Sequence, residues 1–198
     1  LYTNQVKSNH TAIGQGALYS NTNGIENTAV GQSALYSNTT AQYNVAVGRH
    51  CMTNTTTGGQ NTAVGRGSMY PNETGSGNSA FGYGALGGST ASSNNVAIGH
   101  SALSHSSLSG SFNTCVGWRA GNAITSGGKN IVIGQDADPS SATVSNEITL
   151  GNSDITALRC QVTSITALSD ELDKTDIVDL PVGLEFINSL LPRKFKWQ

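Results

Sequence analysis

Nine glycines recur along this chain, and the residue after each is large and mostly polar: Gln15, Gln32, Arg49, Arg66, Tyr83, His100, Trp118, Gln135 and Asn152. Tyr83, His100 and Trp118 follow one another in this series. Flat rings at a fixed spacing can stack on sugar rings, and the guanidinium groups of Arg49 and Arg66 can grip acidic groups. The same side chains could instead cover the folded chain or bridge copies of it, and that plainer reading carries more weight.

Other chemistry finds less support. His10, His50, His100 and His105 lack metal-ligand spacing, so they read as ordinary surface histidines, with no metal and no cofactor expected. Cys51, Cys115 and Cys160 are odd in number with no close pair, which argues against a disulfide frame. Cys51 and Cys115 occupy positions that are small in other repeats and read as apolar fillers. Glu26, Glu73, Asp136 and Asp138 fall in different repeats without an evident partner, which disfavours a polysaccharide-cleaving carboxylate pair.

These residues depend on a repeating scaffold. The glycines are Gly14, Gly31, Gly48, Gly65, Gly82, Gly99, Gly117, Gly134 and Gly151, spaced by 17 residues except for one step of 18. Each closes a phrase of the form Asn-x-Ala-Val/Ile-Gly, and a fixed short period is the signature of a solenoid. The last phrase, Asn146 to Gly151, reads as a final rung with one extra residue. Ahead of each glycine stands a large apolar residue, and ahead of that, in the first seven repeats, a small one (Ala, or Cys115). Neighbours on a strand face opposite ways. Each strand is therefore expected to be covered on both faces. One face fills the coil; alanine on the other allows close approach by further copies of the chain. Seventeen residues suit two short strands and two turns per coil. The recurring Asn27, Asn44, Asn61, Asn78, Asn95, Asn113 and Asn130 are expected to stack at one corner, bonding backbone groups. Nine rungs at about 4.8 Å each would span roughly 40 Å. So narrow a coil has little core of its own, which favours oligomerisation.

Composition agrees. Among 198 residues only 11% are charged and 6% aromatic, Gly numbers 24 and the net charge is −2. There is no basic surface for nucleic acid and no apolar run long enough for membrane insertion. No signal peptide is legible, and a chain beginning at Leu1 reads as a fragment or a processed product. Acidic residues become frequent from Ser140 onward, and three regions are expected: a repeat shaft over 1–138, a last rung and extended connector over 139–168, and a distinct segment over 169–198.

The Asn-Thr-Ala-Val-Gly phrases of residues 9 to 151 resemble the left-handed β-roll repeats of trimeric bacterial adhesin heads and related repeats of phage tail fibres. The resemblance implies an all-β, 17-residue-repeat β-solenoid of the left-handed β-roll type, assembled as a homotrimer. After the shaft, Gly183 to Leu191 has helical spacing that Pro192 ends, and Arg193 to Trp197 reads as the start of a strand, giving a short mixed α/β segment. Ser169-Asp170, Lys174, Asp176-Ile177, Gly183 to Asn188 and Pro192 to Trp197 resemble the opening of the S74-type intramolecular chaperone of phage tail fibres and spikes. That resemblance implies self-cleavage at Leu168–Ser169, with Ser169 as nucleophile and Lys174 as its general base. Burial can depress a lysine pKa far enough for that role. Many members of that family carry Arg where this chain has Leu172.

The expectation is thus a virion fibre, a phage tail fibre or spike. Its partners would be two further copies, other virion tail proteins and a host surface glycan or protein, with Tyr83, His100 and Trp118 as candidate ligand-binding residues. Any enzyme activity would be autoproteolysis alone. A bacterial trimeric surface adhesin is the alternative. An ice-binding solenoid is disfavoured because the column three before each glycine mixes Thr, Val, Ser and Ile.

Overall fold

The computed structural model describes residues 9–159. Leu168, Ser169 and Lys174, the helical and strand expectations for 183–197, and Cys160 lie outside the described residues. Within them the chain is an all-β parallel solenoid with no helix.

Nine strands of three residues form one sheet in chain order: β1 (Thr11–Ile13), β2 (Thr28–Val30), β3 (Val45–Val47), β4 (Thr62–Val64), β5 (Ser79–Phe81), β6 (Val96–Ile98), β7 (Thr114–Val116), β8 (Ile131–Ile133) and β9 (Ile148–Leu150). Each pairs in parallel with the next at equivalent positions, as Ala29 with Ala46 and Ala46 with Ala63. The 18-residue step leaves this register intact. Leu103 N–H still donates to Ala120 O, 17 residues on, whereas Ser109 N–H donates to Thr125 O, 16 on. The extra residue is therefore absorbed in the loop between them, where Leu108 N–H turns back to His105 O at 3.0 Å.

Each rung has one strand, not the two expected. The opposite wall holds left-handed backbone at two positions in each of the first seven rungs, for example Ser33 (φ 57°) and Leu35 (φ 50°), or His50 (φ 56°) and Met52 (φ 50°). A strand cannot include such residues. The wall is a stack of turns, and its rungs are still hydrogen-bonded: Leu35 N–H to Cys51 O, Met52 N–H to Ser68 O and Met69 N–H to Ala85 O.

The orientation of the strands also reverses the expectation. Ala29, Ala46, Ala63, Ala80, Ala97 and Cys115 are fully buried inside the coil, while the large residues before the glycines point out of it. Ile13 is 60% exposed, Phe81 40%, Ile98 42% and Leu150 53%. The reason is volume. Leu18, Leu35, Met52, Met69, Leu86 and Leu103 enter the core from the turn wall, leaving room only for alanine on the strand side. The later rungs show the same constraint. Where Cys115 replaces alanine, Gly121 replaces the leucine, and a Cβ at Gly121 would strike Cys115 Sγ. Where Val132 replaces alanine, the leucine position holds exposed Asp138.

The repeating glycine meets two demands at once. At the first eight positions its φ runs from +121° to +139°, a region closed to residues with a Cβ. At the first seven, an added Cβ would also overlap the carbonyl oxygen of the glycine one rung on.

Candidate functional site

The corner asparagines form a buried ladder. Asn27 Oδ1 accepts from Asn44 N–H, Asn44 Oδ1 from Asn61 N–H and Asn61 Oδ1 from Asn78 N–H, each at 2.9 Å. The series continues through Asn95, Asn113 and Asn130. Each Nδ2 donates across the corner to a carbonyl 14 or 15 residues on, such as Asn27 to Ala41 O (2.8 Å) and Asn113 to Gly127 O (2.9 Å). One amide thus pairs a backbone donor and a backbone acceptor at the buried corner. Among the described residues, Ser92 Oγ is the one buried polar side-chain atom without a partner.

Both ends of the ladder use a different residue. His10, expected to be an ordinary surface histidine, occupies the position one rung before Asn27. Its Nδ1 accepts from Asn27 N–H (3.1 Å) and its Nε2 meets Gly24 O (2.9 Å), so it reproduces both asparagine bonds with the proton on Nε2. At the far end Glu147 sits one rung after Asn130, and its N–H donates to Asn130 Oδ1 (3.0 Å). The last phrase therefore contains no extra residue; Glu147, not Asn146, stands in the ladder. Hydrogen bonds from the Ser140 hydroxyl and backbone N–H hold the Glu147 carboxyl below its ordinary range. The signal for both caps was the 17-residue spacing itself, hidden by the change of residue type.

A second polar column was missed by sequence reasoning. Asn21, Asn38, Thr55, Asn72 and Ser89 are buried at the turn corner, with Asn38 Nδ2 donating to Asn21 Oδ1 (2.6 Å) and Thr55 Oγ1 to Asn72 O (3.0 Å). In the sequence these residues look like ordinary polar turn residues.

The column after the glycines points outward as expected, and it is connected in two stretches, Gln15 to Arg49 and Arg66 to His100. Gln32 Nε2 donates to Gln15 Oε1 (3.4 Å), Arg49 Nε to Gln32 Oε1 (3.0 Å) and an Arg66 guanidinium N–H to the Tyr83 hydroxyl (2.8 Å). Tyr83 stacks on His100 with ring centroids 4.9 Å apart and planes 14° from parallel. The structure thus brings Tyr83 and His100 together, and each spends a ring face on the other. Trp118 lies one rung on and pairs instead with Arg119, whose Cζ is 5.2 Å from its ring centroid; Arg119 also meets Asp136 at 3.4 Å.

Beside this column lies an open groove of about 610 Å³ spanning the third to sixth rungs. His50, Asn54, Arg66, Tyr70, Tyr83 and Ser101 contribute to its walls, and Gly67 and Gly84 to its floor. Its size falls within the range of small-ligand sites.

Two features limit the chemistry. Among the described residues, no group of three or more His, Cys, Asp or Glu is placed to hold a metal ion. Cys51 and Cys115 are buried, and desolvation pushes each thiol up to about 12, so neither is a nucleophile. Among the same residues no helix is long and apolar enough to cross a membrane.

The protein is a parallel β-solenoid with a 17-residue repeat. Comparison with protein-family models, curated protein sequences and solved structures finds no match to this chain.

Proposed function

We propose that residues 1–168 form the shaft and connector of a homotrimeric virion fibre, a phage tail fibre or spike that serves in host attachment, and that 169–198 open a self-cleaving intramolecular chaperone. The observation that carries the oligomeric part is the outward column Ile13, Val30, Val47, Val64, Phe81, Ile98, Val116, Ile133 and Leu150. It runs along a coil whose own core is already complete. A continuous apolar stripe of this length calls for a covering surface. A second copy offers an apolar stripe with the same rung spacing, so side chains can interdigitate in register along the whole shaft. The resemblance to trimeric repeats sets the number of copies at three. The fibre reading itself, and the virion location with other tail proteins as neighbours, rest on the sequence resemblances.

In the chaperone segment, neutral Lys174 takes the proton of the Ser169 hydroxyl. Oγ then attacks the Leu168 carbonyl carbon, and the Leu168–Ser169 peptide bond breaks as an ester forms and Lys174 returns the proton to the leaving Ser169 nitrogen. Water hydrolyses the ester, leaving a Leu168 carboxylate and a free Ser169 amine.

The test is the intact mass of the full-length parent protein, wild type beside Ser169→Ala and Lys174→Ala, with the solution mass of the product by light scattering. A wild-type product ending at Leu168, absent from both variants and three chains in mass, is expected. An uncut wild type would overturn the chaperone assignment and favour the bacterial surface adhesin. A monomeric product would overturn the homotrimer.

A further inference from the structure

We propose that the groove over the third to sixth rungs binds an anionic saccharide; this inference deepens the attachment function proposed above and rests on it.

The floor of the groove is the first argument. It is formed by the position two after each repeating glycine, which is left-handed in every rung from the first to the eighth. Ser33 (φ 57°), His50 (φ 56°), Ser101 (φ 54°), Arg119 (φ 54°) and Asp136 (φ 48°) all adopt it with side chains. The backbone therefore does not require glycine there. Glycine also stands there in the first rung, where a Cβ on Gly16 (φ 69°) would press on the Tyr36 ring at 3.1 Å; Gly67 (φ 64°) and Gly84 (φ 60°) occupy it in two consecutive rungs. A Cβ on Gly67 would meet nothing within 4 Å, and one on Gly84 only Ser101 Oγ, at 3.7 Å. Packing does not require glycine either. Two adjacent side chains are omitted where the fold would accept them, and their omission opens the groove.

The walls supply the second argument. Tyr70 continues the column of Tyr19 and Tyr36, whose rings stack at 4.9 Å with planes 2° apart. Thr53 and Gly87 flank Tyr70 in that column, and no ring stacks on it among the described residues. It is half exposed, and Gly87 also lines the groove. An uncovered tyrosine face beside polar groups suits the apolar face of a pyranose. Asn54, Ser101 and Ser104 offer hydroxyl and amide groups for sugar hydroxyls.

Charge selects among saccharides. Arg66 meets the Tyr83 hydroxyl and ring but no carboxylate, and no acidic side chain lines the groove. Among the described residues the one salt bridge is Arg119–Asp136, outside it. The free edge of the Arg66 guanidinium is available to a sugar carboxylate, and Tyr83, itself stacked on His100, holds the guanidinium in place.

The experiment is titration calorimetry of the full chain with short oligomers of glucuronate, galacturonate and N-acetylneuraminate, against neutral glucose and galactose oligomers of equal length. At least one acidic oligomer is expected to bind at least tenfold more tightly than the neutral ones. Gly67→Asn refills the floor with a residue that tolerates left-handed backbone and should weaken binding at least tenfold. Ser33→Asn adds the same side chain at the equivalent position outside the groove and should leave binding unchanged. Arg66→Ala should remove the preference for acid, and Tyr70→Ala should weaken all binding. Circular dichroism checks that each variant keeps its fold. Failure of every acidic oligomer to bind, equal binding of neutral ones, or binding indifferent to Gly67→Asn in a folded variant overturns the proposal. Light scattering and intact mass on the same samples separate the two readings: a cleaved trimer that binds no saccharide defeats the groove alone, and a saccharide-binding monomer defeats the trimer alone.

Discussion

Inside the coil, the middle residue of each of the first six strands shares the core with leucine or methionine from the turn wall, and the rungs fit closely on one another. On the outside, its two neighbours on the strand face away from that core, and the larger of them form an apolar column that no other described residues cover. Among the described residues the inner face is finished; the outer face is not. The difference teaches that apolar character alone does not place a residue inside a narrow solenoid. Available volume does, and it admits alanine on the strand side because leucine enters from the other wall.

Substitutions on the inner side should therefore be costly, beginning with the glycine column. Gly65→Ala meets both a forbidden φ and the Gly82 carbonyl, so a loss of at least about 3 kcal/mol is expected, read as a fall in thermal midpoint. If that variant melts like the wild type, the glycine column is not what fixes the rung spacing.

Asn61→Ala should follow, at about 2–3 kcal/mol. It leaves Asn78 N–H and Gly75 O, both now bonded to the amide, without it. Hydrogen exchange should show faster exchange at Asn78, and unchanged protection there would mean that water replaces the ladder.

The two buried thiols give a pH-dependent measure of the same interior. Each is raised from 9.0 to about 12, so the folded chain holds protons that the unfolded chain releases. Stability is thus fully present below pH 9 and is lost as pH rises toward 12, by about 1.4 kcal/mol per thiol at pH 10. Denaturant midpoints of Cys51→Ala and Cys115→Ala, measured against pH, should each lose part of this slope. A slope unchanged in both variants would place the thiols in contact with water.

Outward substitutions should affect the fold of the single chain least. Ile98→Asp is expected to change the stability of the coil by about 0.5 kcal/mol or less, while lowering the molecular mass observed by light scattering. Large destabilisation of an isolated coil would erase the contrast between the faces. Unchanged association would remove this column from the interface.

The repeat was legible because a one-dimensional fold writes its period directly into its sequence. The strands, the glycine column, the asparagine ladder and the outward series from Gln15 to Asn152 all follow from that period. Reading residue types rather than positions concealed the rest. His10 and Glu147 have the right spacing but the wrong identity, and Asn21 and Asn38 look like any polar turn. The candidate groove was only partly visible: Arg66 and Tyr83 belong to an evident column, but Tyr70 and Gly67 belong to neighbouring ones. Their adjacency arises only once the chain is coiled.

The sequence by itself determined the architecture, since nine glycines at an almost fixed interval and matched apolar residues leave a parallel stack of rungs as the consistent solution. Only the tertiary structure decided which face of each strand turns inward, because that depends on what enters from the opposite wall. It alone showed that one wall is built of left-handed turns. It also showed which glycines the backbone needs and which leave space: Gly65 is held by its φ and its neighbour's carbonyl, whereas Gly67 has open space beside it.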